Sequence, residues 1–465
     1  MAQDSQLGLN ILGTHIAAIG QADDTLLVSN NIFSLNYLLV LTMVFCTKYL
    51  VELSPEKTKL QVFDSNKTSF DHLPNPIKVN DVPILFSSEA EHVGIIRSNS
   101  GNMPCLFARF AAHKKALAGI LHVGMARGHR ANPMMSLRVE RLYATPVLLS
   151  GLGSLFLLPR EIDLIERHYR ETLRQLLRLQ KTSPRCVIYF LAGSLPGSVL
   201  LHLRQLGLFG MISRLNPSNL LHQHAMNLFS NSHSLHGSWF QQINSLCLLY
   251  ELPHPSVILN NPPTKESYKS FMRKKVISYW ESTLRIEAEA LKSLTFFKPN
   301  FMSLMSVHPL WKTAEANPMK VAMATIQAVM LSGRYHCGAL TRHWSGGSSG
   351  TCELSPSCHN NMENVHHILQ QCPALDSLRM NLLDYTKNLA LSLPLPIRTL
   401  LHTKCTPYYD GFCDFILDCT VDPDVISLVQ QHGPLIHHQL FSITRVWVYV
   451  LHRERLKMLG RWRRP

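Results

Sequence analysis

An acidic turn between two short apolar segments constrains the N-terminal part of the chain more than any other feature. Residues 14–20 are largely apolar and lead to the adjacent pair Asp23 and Asp24, and a second apolar segment follows at 25–28. Two such segments joined at a turn are typical of a β-hairpin. Two adjacent carboxylates repel each other, and a divalent cation with oxygen ligands would relieve that repulsion. Because Asp is also common in ordinary turns, a plain turn stays an alternative.

A helix and a lysine-containing segment follow the predicted hairpin. Residues 30–50 are rich in apolar side chains and end before Pro55, which predicts one helix. The most apolar window, 32–46, is shorter than a membrane-spanning segment and contains polar residues. We therefore predict a buried helix that packs under the hairpin. The segment 53–59, Leu-Ser-Pro-Glu-Lys-Thr-Lys, comes next.

The order of hairpin, helix and lysine segment resembles the palm of reverse transcriptases from non-LTR retrotransposons. The resemblance implies that Asp23 and Asp24 are catalytic ligands of Mg²⁺ in a two-metal nucleotidyl transfer. It implies that Lys57 assists the departing pyrophosphate. It also implies that an RNA template and a DNA primer or target are the partners, and that no membrane is involved.

The chain departs from the family pattern at two points. Gln21 stands where the family usually has Tyr or Phe, next to the primer end. The family also has a further palm aspartate well upstream, whereas only 22 residues precede Asp23 here. We therefore expect a partial palm without one metal-binding carboxylate, and a degenerate polymerase site that is inactive in the isolated chain.

The charge balance and the cysteine content narrow the class of protein. The chain has 45 Lys and Arg against 31 Asp and Glu, and its pI is about 9.3. Such an excess favours a polyanionic partner, with nucleic acid first and an anionic membrane surface second. The 11 cysteines are scattered along the chain, and the N-terminus has no signal-peptide pattern. These features predict an intracellular location, in the nucleus or cytoplasm, with thiols that are free or metal-bound.

A basic stripe is predicted on a helix at 160–181. Apolar residues recur there at helical spacing and form an inner face, and cations at intervals of three and four form an opposite face. The five cations are Arg167, Arg170, Arg174, Arg178 and Lys181. Such a stripe can follow a phosphate backbone, although an ordinary solvated helix face is the alternative. The resemblance places the helical thumb of the family in this part of the chain.

Several segments after residue 181 give weaker signals. Residues 216–262 are rich in Asn, Ser, His and Pro and predict loops, with histidines at the surface. A long helix with many lysines is predicted at 264–295, as a second nucleic-acid face or a solvated one. Further helices are predicted at 374–392, at 424–432 and from Pro434 onward. The chain then ends in a basic tail that suits polyanion contact or solubility alone: Arg453, Arg455, Lys457, Arg461, Trp462, Arg463 and Arg464.

A Cys-Cys-His-Cys motif lies in the C-terminal half. Its residues, spaced C-x5-C-x8-H-x4-C, are Cys352, Cys358, His367 and Cys372. Three thiolates and one imidazole can surround Zn²⁺ tetrahedrally. A reduced cysteine cluster without metal is the alternative, because the first gap is wider than usual.

Three further residues are candidate zinc ligands by position: His366, His359 and Cys337. Non-LTR elements often carry a Cys-Cys-His-Cys segment downstream of the thumb, in text of the type Leu-x-x-x-His-Leu-Leu-x-x-Cys-Pro. That resemblance implies that His367 and not His366 is the ligand, and that the segment contacts template RNA or target DNA.

These observations predict an α+β fold. We expect a partial reverse-transcriptase palm at 1–96, a thumb-like helical domain at 97–215, a helical linker region at 216–335, a zinc-knuckle-like segment at 336–375 and a helical C-terminal region with a basic tail at 376–465. The first functional hypothesis is a fragment of an RNA-directed DNA polymerase. The alternatives are a non-catalytic nucleic-acid-binding relic and a helical scaffold for protein interactions.

Overall fold

The computed structural model describes residues 7–11, 13–21, 23–63, 77–120, 132–230, 236–342, 349–358 and 361–461. These residues form a mainly helical fold with a few short strands near the N-terminus, which is consistent with the predicted α+β class. The strands pair as antiparallel hairpins: β1 (Leu9–Ile11) with β2 (Thr14–Ile16), β3 (Ala18–Gln21) with β4 (Asp24–Leu27), β5 (Lys78–Val79) with β6 (Val82–Pro83), and β7 (Glu89–His92) with β8 (Ile95–Ser98).

The helices begin directly after the second hairpin and dominate from residue 103 onward. In chain order they are α1 (Ile32–Lys48), α2 (Met103–Ile120), α3 (Pro133–Val139), α4 (Thr145–Leu148), α5 (Pro159–Leu176), α6 (Arg185–Ala192), α7 (Gly197–Ile212), α8 (Leu220–Ser230), α9 (Trp239–Leu249), α10 (Pro255–Asn260), α11 (Lys265–Ala290), α12 (Pro309–Lys312), α13 (Pro318–Leu331), α14 (Gly338–Thr341), α15 (Asp376–Ala390), α16 (Leu395–Lys404), α17 (Phe412–Leu417), α18 (Pro423–His432) and α19 (Leu435–Met458). Short π-helical turns occur at Glu140–Ala144 and His367–Gln371.

The chain divides into two compact units that are interleaved in sequence. The first contains Met1–Lys114, Pro146–Ile165 and Ser198–Val276, and the second contains Lys115–Thr145, Glu166–Gly197 and Ile277–Pro465. The linear domain boundaries given above follow motifs and not contacts, and they stay predictions.

In the first unit, the acidic turn and the helix after it form at the predicted positions, but the predicted burial of this helix is wrong. Only Leu38, Leu39 and Cys46 of α1 are buried, because the helix packs on its neighbours along one narrow face. Strands β3 and β4 pair in register from Ala18 opposite Leu27 to Gln21 opposite Asp24. The side chain of Asn31 caps α1 by accepting a 2.8 Å hydrogen bond from the amide of Ser34. The hairpin and helix share one small apolar core with the segments that follow them: Leu27, Ile32, Leu35, Leu39, Leu53, Leu60, Ile77, Val79 and Ile84.

The interpretation of a later part of the first unit as loops is also wrong. Residues 216–262 are not loop-rich but contain α8, α9 and α10. The polar residues that suggested loops act as helix caps, since Ser238 caps α9 and His254 caps α10. The hairpin β7–β8 turns at Val93 and Gly94, which adopt φ 52° and φ 71° in a two-residue turn.

The second unit is organised around α19. This helix packs against α13, α15, α17 and α18, and its buried side chains include Trp447. The indole N–H of Trp447 donates a 2.8 Å hydrogen bond to Thr386 Oγ1 of α15, and its ring lies 5.1 Å from that of Phe412 in α17. Helix α19 therefore holds together elements that are distant in sequence, and the zinc motif lies among them.

Among the described helices, none is both long and apolar enough to cross a membrane as a single segment. Helices α6 and α7 reach that length and composition only when the bent pair is taken together.

Candidate metal centre

Four side chains of the second unit converge on one point. The ligand atoms of Cys352, Cys358, His367 and Cys372 all lie within 4.8 Å of one another, and all four residues are buried. The Cys372 sulfur lies 3.8 Å from that of Cys352 and 3.9 Å from that of Cys358. A disulfide would need about 2.05 Å between sulfurs. Thiolates around a tetrahedral Zn²⁺, with Zn–S distances of about 2.3 Å, lie roughly 3.8 Å apart. The cluster can therefore hold a metal ion, and its geometry and ligand types are compatible with zinc.

A π-helical turn brings His367 and Cys372 to the same side. Residues five apart lie about 140° apart around an α-helix, which would point the two side chains away from each other. Here the amide of Cys372 donates a 2.7 Å hydrogen bond to the carbonyl of His367, and the wider turn at His367–Gln371 results. Pro373 then follows and cannot continue the helical hydrogen bonding. The spacing of the motif gives no sign of the π turn that aligns the two ligands.

The other two cysteines are positioned by a tight loop. The amide of Cys352 donates to the carbonyl of Asn361 over 2.9 Å, and the amide of Asn361 donates to the carbonyl of Cys358 over 2.8 Å. Thr351 and Met362 form an antiparallel bridge that closes the loop. The gap between the two cysteines, which is wider than in common zinc motifs, is therefore accommodated by backbone hydrogen bonds.

Burial favours the neutral forms of the cluster side chains when no cation is bound. Burial raises the pKa of Cys352, and burial together with the neighbouring thiols Cys352 and Cys358 raises the pKa of Cys372 to about 12. Burial also lowers the pKa of His367, so the imidazole is neutral near pH 7, as metal binding requires. Among the described residues, its buried Nε2 has no hydrogen-bond partner. A bound Zn²⁺ would coordinate this nitrogen and stabilise the thiolates.

Arg379 binds the backbone of the segment that carries His367 and Cys372. Its guanidinium is almost completely buried and donates to the carbonyls of Ile368 and Cys372, and it pairs with Asp376 at 2.6 Å. A cation at this position would offset the net negative charge of Zn²⁺ with three thiolates. Sequence analysis did not identify Arg379, although its spacing from Cys372 on the following helix is a local signal.

A buried ion pair connects the metal segment to α19. Arg455 donates to both carboxylate oxygens of Glu363 at 2.8 and 2.7 Å, and both residues are buried. Burial alone would raise the pKa of Glu363, but the Arg455 guanidinium holds it below its ordinary value. The amide of Gly338 also donates to Glu363 over 2.7 Å. The basic-tail interpretation is therefore wrong for Arg455, because its guanidinium is buried and paired with Glu363. Trp462, Arg463 and Arg464 of the predicted tail lie outside the described residues.

The alternative ligands do not join the cluster. His366 precedes the π turn and does not belong to the group of four, and Cys337 lies at the start of α14. His359 lies outside the described residues. The structure thus selects His367 among the candidates that are described, in agreement with the sequence-based choice.

The acidic hairpin gives a different result. Asp23 lies in the turn of β3–β4, Asp24 begins β4, and both carboxylates are exposed. Lys57 is also exposed, in the turn after α1. In the described part of the chain, neither carboxylate belongs to a group of three or more possible metal ligands. The hairpin is present as predicted, but nothing in its geometry supports a magnesium site.

The basic stripe is interrupted. Helix α5 ends at Leu176, and Arg178 adopts φ 56° outside it, so Arg178 and Lys181 do not continue the helical stripe. The prediction of five cations in register on one helix is therefore wrong. Arg174 forms a 2.5 Å ion pair with Glu171, and Arg170 lies 3.9 Å from Glu166. The two cations that remain exposed are Arg167 and Lys181.

The fold and the cluster define a class of protein: a mainly helical α+β chain with a buried Cys-Cys-His-Cys cluster suited to a metal ion. Comparison of the chain with protein-family models, with characterised proteins and with solved structures found no match.

Proposed function

We propose that this chain binds nucleic acid as the C-terminal part of a reverse transcriptase of the non-LTR retrotransposon type, and that a structural zinc ion organises its C-terminal region. The observation that carries the proposal is the convergence of Cys352, Cys358, His367 and Cys372. The resemblance to non-LTR elements implies these four residues, in this order and downstream of the palm-like hairpin.

The N-terminal region supports the proposal through the order of its elements. The hairpin β3–β4, helix α1 and the segment that contains Lys57 occur in the order that the family resemblance implies. They share one apolar core, so they form a local unit and not three unrelated segments.

The charge of the chain supports a polyanionic partner. The formal net charge is +14, and exposed cations occur at Arg167 and Lys181 in the second unit and at Lys265 and Lys269 on α11 in the first unit. Each cation that contacts a phosphate releases condensed counterions, so binding weakens as the salt concentration rises.

The family resemblance also implies that Asp23 and Asp24 bind magnesium and that Lys57 acts on pyrophosphate. Two-metal nucleotidyl transfer needs more oxygen ligands than one pair of adjacent carboxylates provides. We therefore propose that the chain by itself binds nucleic acid without turnover.

The test of binding uses the full chain with single-stranded RNA and DNA and with an RNA–DNA hybrid, over a range of salt concentrations. We expect the logarithm of the binding constant to fall linearly with the logarithm of the salt concentration. Undetectable binding at low salt to all three probes would overturn the proposal.

The test of turnover is a primer-extension assay with Mg²⁺. We expect no DNA synthesis from the chain, and equal nucleic-acid affinity in the parent and in Asp23→Asn. Synthesis that disappears in Asp23→Asn would contradict the absence of turnover and would assign activity to the hairpin.

The scaffold hypothesis predicts binding to protein partners that is insensitive to salt, and no affinity for RNA or DNA. It is favoured by the exposed apolar side chains of Phe33, Tyr37 and Val44, which lie on one side of α1. A chain that binds proteins through this surface and has no affinity for RNA or DNA would support the scaffold.

A further inference from the structure

A cavity in the first unit suggests a ligand site that is separate from the metal centre. It has a volume of about 430 Å³ and lies where the end of α7 meets α8 and α10. Its polar walls include Arg214, His222, Gln223 and Asn260. His222, which the sequence placed at the surface, is in fact buried.

One atom of the half-buried Arg214 guanidinium lacks a hydrogen-bond partner among the described residues. Its Nη1 atom is buried and makes no hydrogen bond to any residue that the structure describes. A guanidinium is always charged, and a buried charged donor without a partner is strongly unfavourable. The described residues that line the cavity include no carboxylate. An anion bound in the cavity would provide a partner for this atom.

The remaining walls indicate what else the ligand carries. Gln223 and Asn260 offer amide N–H donors, and His222 offers an imidazole. Met226 and Leu259 contribute apolar surface to the same cavity. The volume exceeds that of a single small anion, so the walls suit an anionic group attached to an apolar or planar body.

We propose that this cavity binds a phosphate ester, with Arg214 bound to the phosphate oxygens and Met226 and Leu259 in contact with the organic part. The planar fork of a guanidinium matches two phosphate oxygens, which makes Arg the side chain best suited to this group. The ester could be a free nucleotide-like phosphomonoester or one phosphodiester of a strand. The site goes beyond the proposed function, since it lies outside the zinc-containing unit and does not depend on zinc.

The experiment is a calorimetric titration of the full chain with inorganic phosphate and with adenosine 5′-monophosphate, at constant ionic strength. We expect the nucleotide to bind more tightly than phosphate, because it also contacts the apolar wall. Arg214→Gln should weaken both by at least about tenfold, because it removes a charge-assisted bidentate interaction. Arg204→Gln, on α7 but outside the cavity, is the matched control and should bind like the parent.

A second variant tests the site even if Arg214→Gln does not fold. Gln223→Glu keeps the size of the side chain and adds a carboxylate to the cavity wall, where it would pair with Arg214. We expect a folded protein that has lost phosphate binding. Binding that is unchanged in either folded variant, or no binding by the parent chain, would overturn the proposal.

Competition by a single-stranded oligonucleotide identifies the source of the phosphate. An oligonucleotide that displaces adenosine 5′-monophosphate, and that itself binds less tightly to Arg214→Gln, would assign the site to a phosphodiester strand. Displacement by phosphomonoesters alone would assign it to a free nucleotide. The outcome can also be a chain that binds adenosine 5′-monophosphate through Arg214 and yet binds nucleic acid only weakly. That result would count against the proposed function and not against this site.

Discussion

The metal cluster and the acidic hairpin are both short motifs with candidate metal ligands, but their surroundings differ. At the cluster, four ligands from a loop and a helical turn are buried within 4.8 Å of one another. At the hairpin, Asp23 and Asp24 are exposed to solvent. Burial disfavours the thiolate form unless a cation is bound, so a metal ion would gain strong ligands that no other group competes for, whereas solvent screens two exposed carboxylates. A motif therefore indicates a metal site more strongly when the fold removes its ligands from water.

The largest expected effect is loss of metal at the cluster. His367→Ala should leave the protein with less than one zinc per chain and withdraw zinc binding free energy on the order of 10 kcal/mol from the folded region. His366→Ala is the matched control and should retain zinc, because His366 is not in the cluster. Metal analysis of the purified protein and thermal unfolding would measure both effects.

Two further variants separate metal binding from folding. His367→Cys should retain zinc in a four-thiolate site, and Cys352→Ser should lose it. Zinc-free parent protein that is folded, or equal zinc content in His366→Ala and His367→Ala, would refute the metal assignment.

The next largest effect concerns the ion pair that holds the metal segment on α19. Arg455→Leu leaves the Glu363 carboxylate buried without its partner, and we expect about 3–5 kcal/mol of destabilisation in chemical denaturation. Lys457→Ala on the same helix removes only an exposed 3.1 Å pair with Glu454, which should change stability by at most about 1 kcal/mol. Equal effects of the two substitutions would show that the buried pair does not hold this segment.

A smaller effect is expected on nucleic-acid affinity. Substitution of both Arg167 and Lys181 by Gln should weaken binding and reduce the salt slope by roughly 0.7–0.9 for each phosphate that is no longer neutralised. Arg174→Gln should have less effect, because Arg174 is paired with Glu171 and is half-buried. A larger effect of Arg174→Gln would restore the predicted helical stripe as the binding surface.

The pH dependence of the Glu171–Arg174 pair is a further small effect. The hydrogen bond from Arg174 lowers the pKa of Glu171 from 4.5 to about 2. The pair therefore stabilises the folded state above about pH 4.5, and this contribution disappears as the pH falls toward 2. Because Glu171 is exposed, Glu171→Gln should remove only about 0.2–1 kcal/mol of this pH-dependent stability. Unfolding curves for the parent and the variant at pH 6 and pH 3 would test this.

The smallest effect is expected at the hairpin. Asp23→Asn with Asp24→Asn should change the free energy of unfolding by at most about 0.5 kcal/mol, toward greater stability, since it removes repulsion between exposed like charges. A large loss of stability, or a melting temperature that rises with Mg²⁺ in the parent alone, would show that the two carboxylates already form a metal site.

Local patterns predicted the local structure well. The hairpin turn, helix α1 and the start of α11 lie close to their predicted positions, because turn chemistry, apolar runs and proline act over a few residues. The loop prediction for residues 216–262 is wrong because Ser and His are common both in loops and at helix caps, so composition alone does not distinguish the two. The predicted basic stripe includes two residues beyond the end of α5, because helical spacing alone does not show that the helix ends at Leu176.

The sequence by itself determined the Cys-Cys-His-Cys pattern and the acidic hairpin, because each is encoded within a short stretch of chain, but the tertiary structure was needed to place His367 and not His366 in the cluster. Only the tertiary structure decided that Arg455 pairs with Glu363, which lies 92 residues away in the sequence. It also decided that the Nη1 atom of Arg214 has no hydrogen-bond partner among the described residues. Burial and charge pairing depend on which distant segments pack together, and no local pattern contains that information.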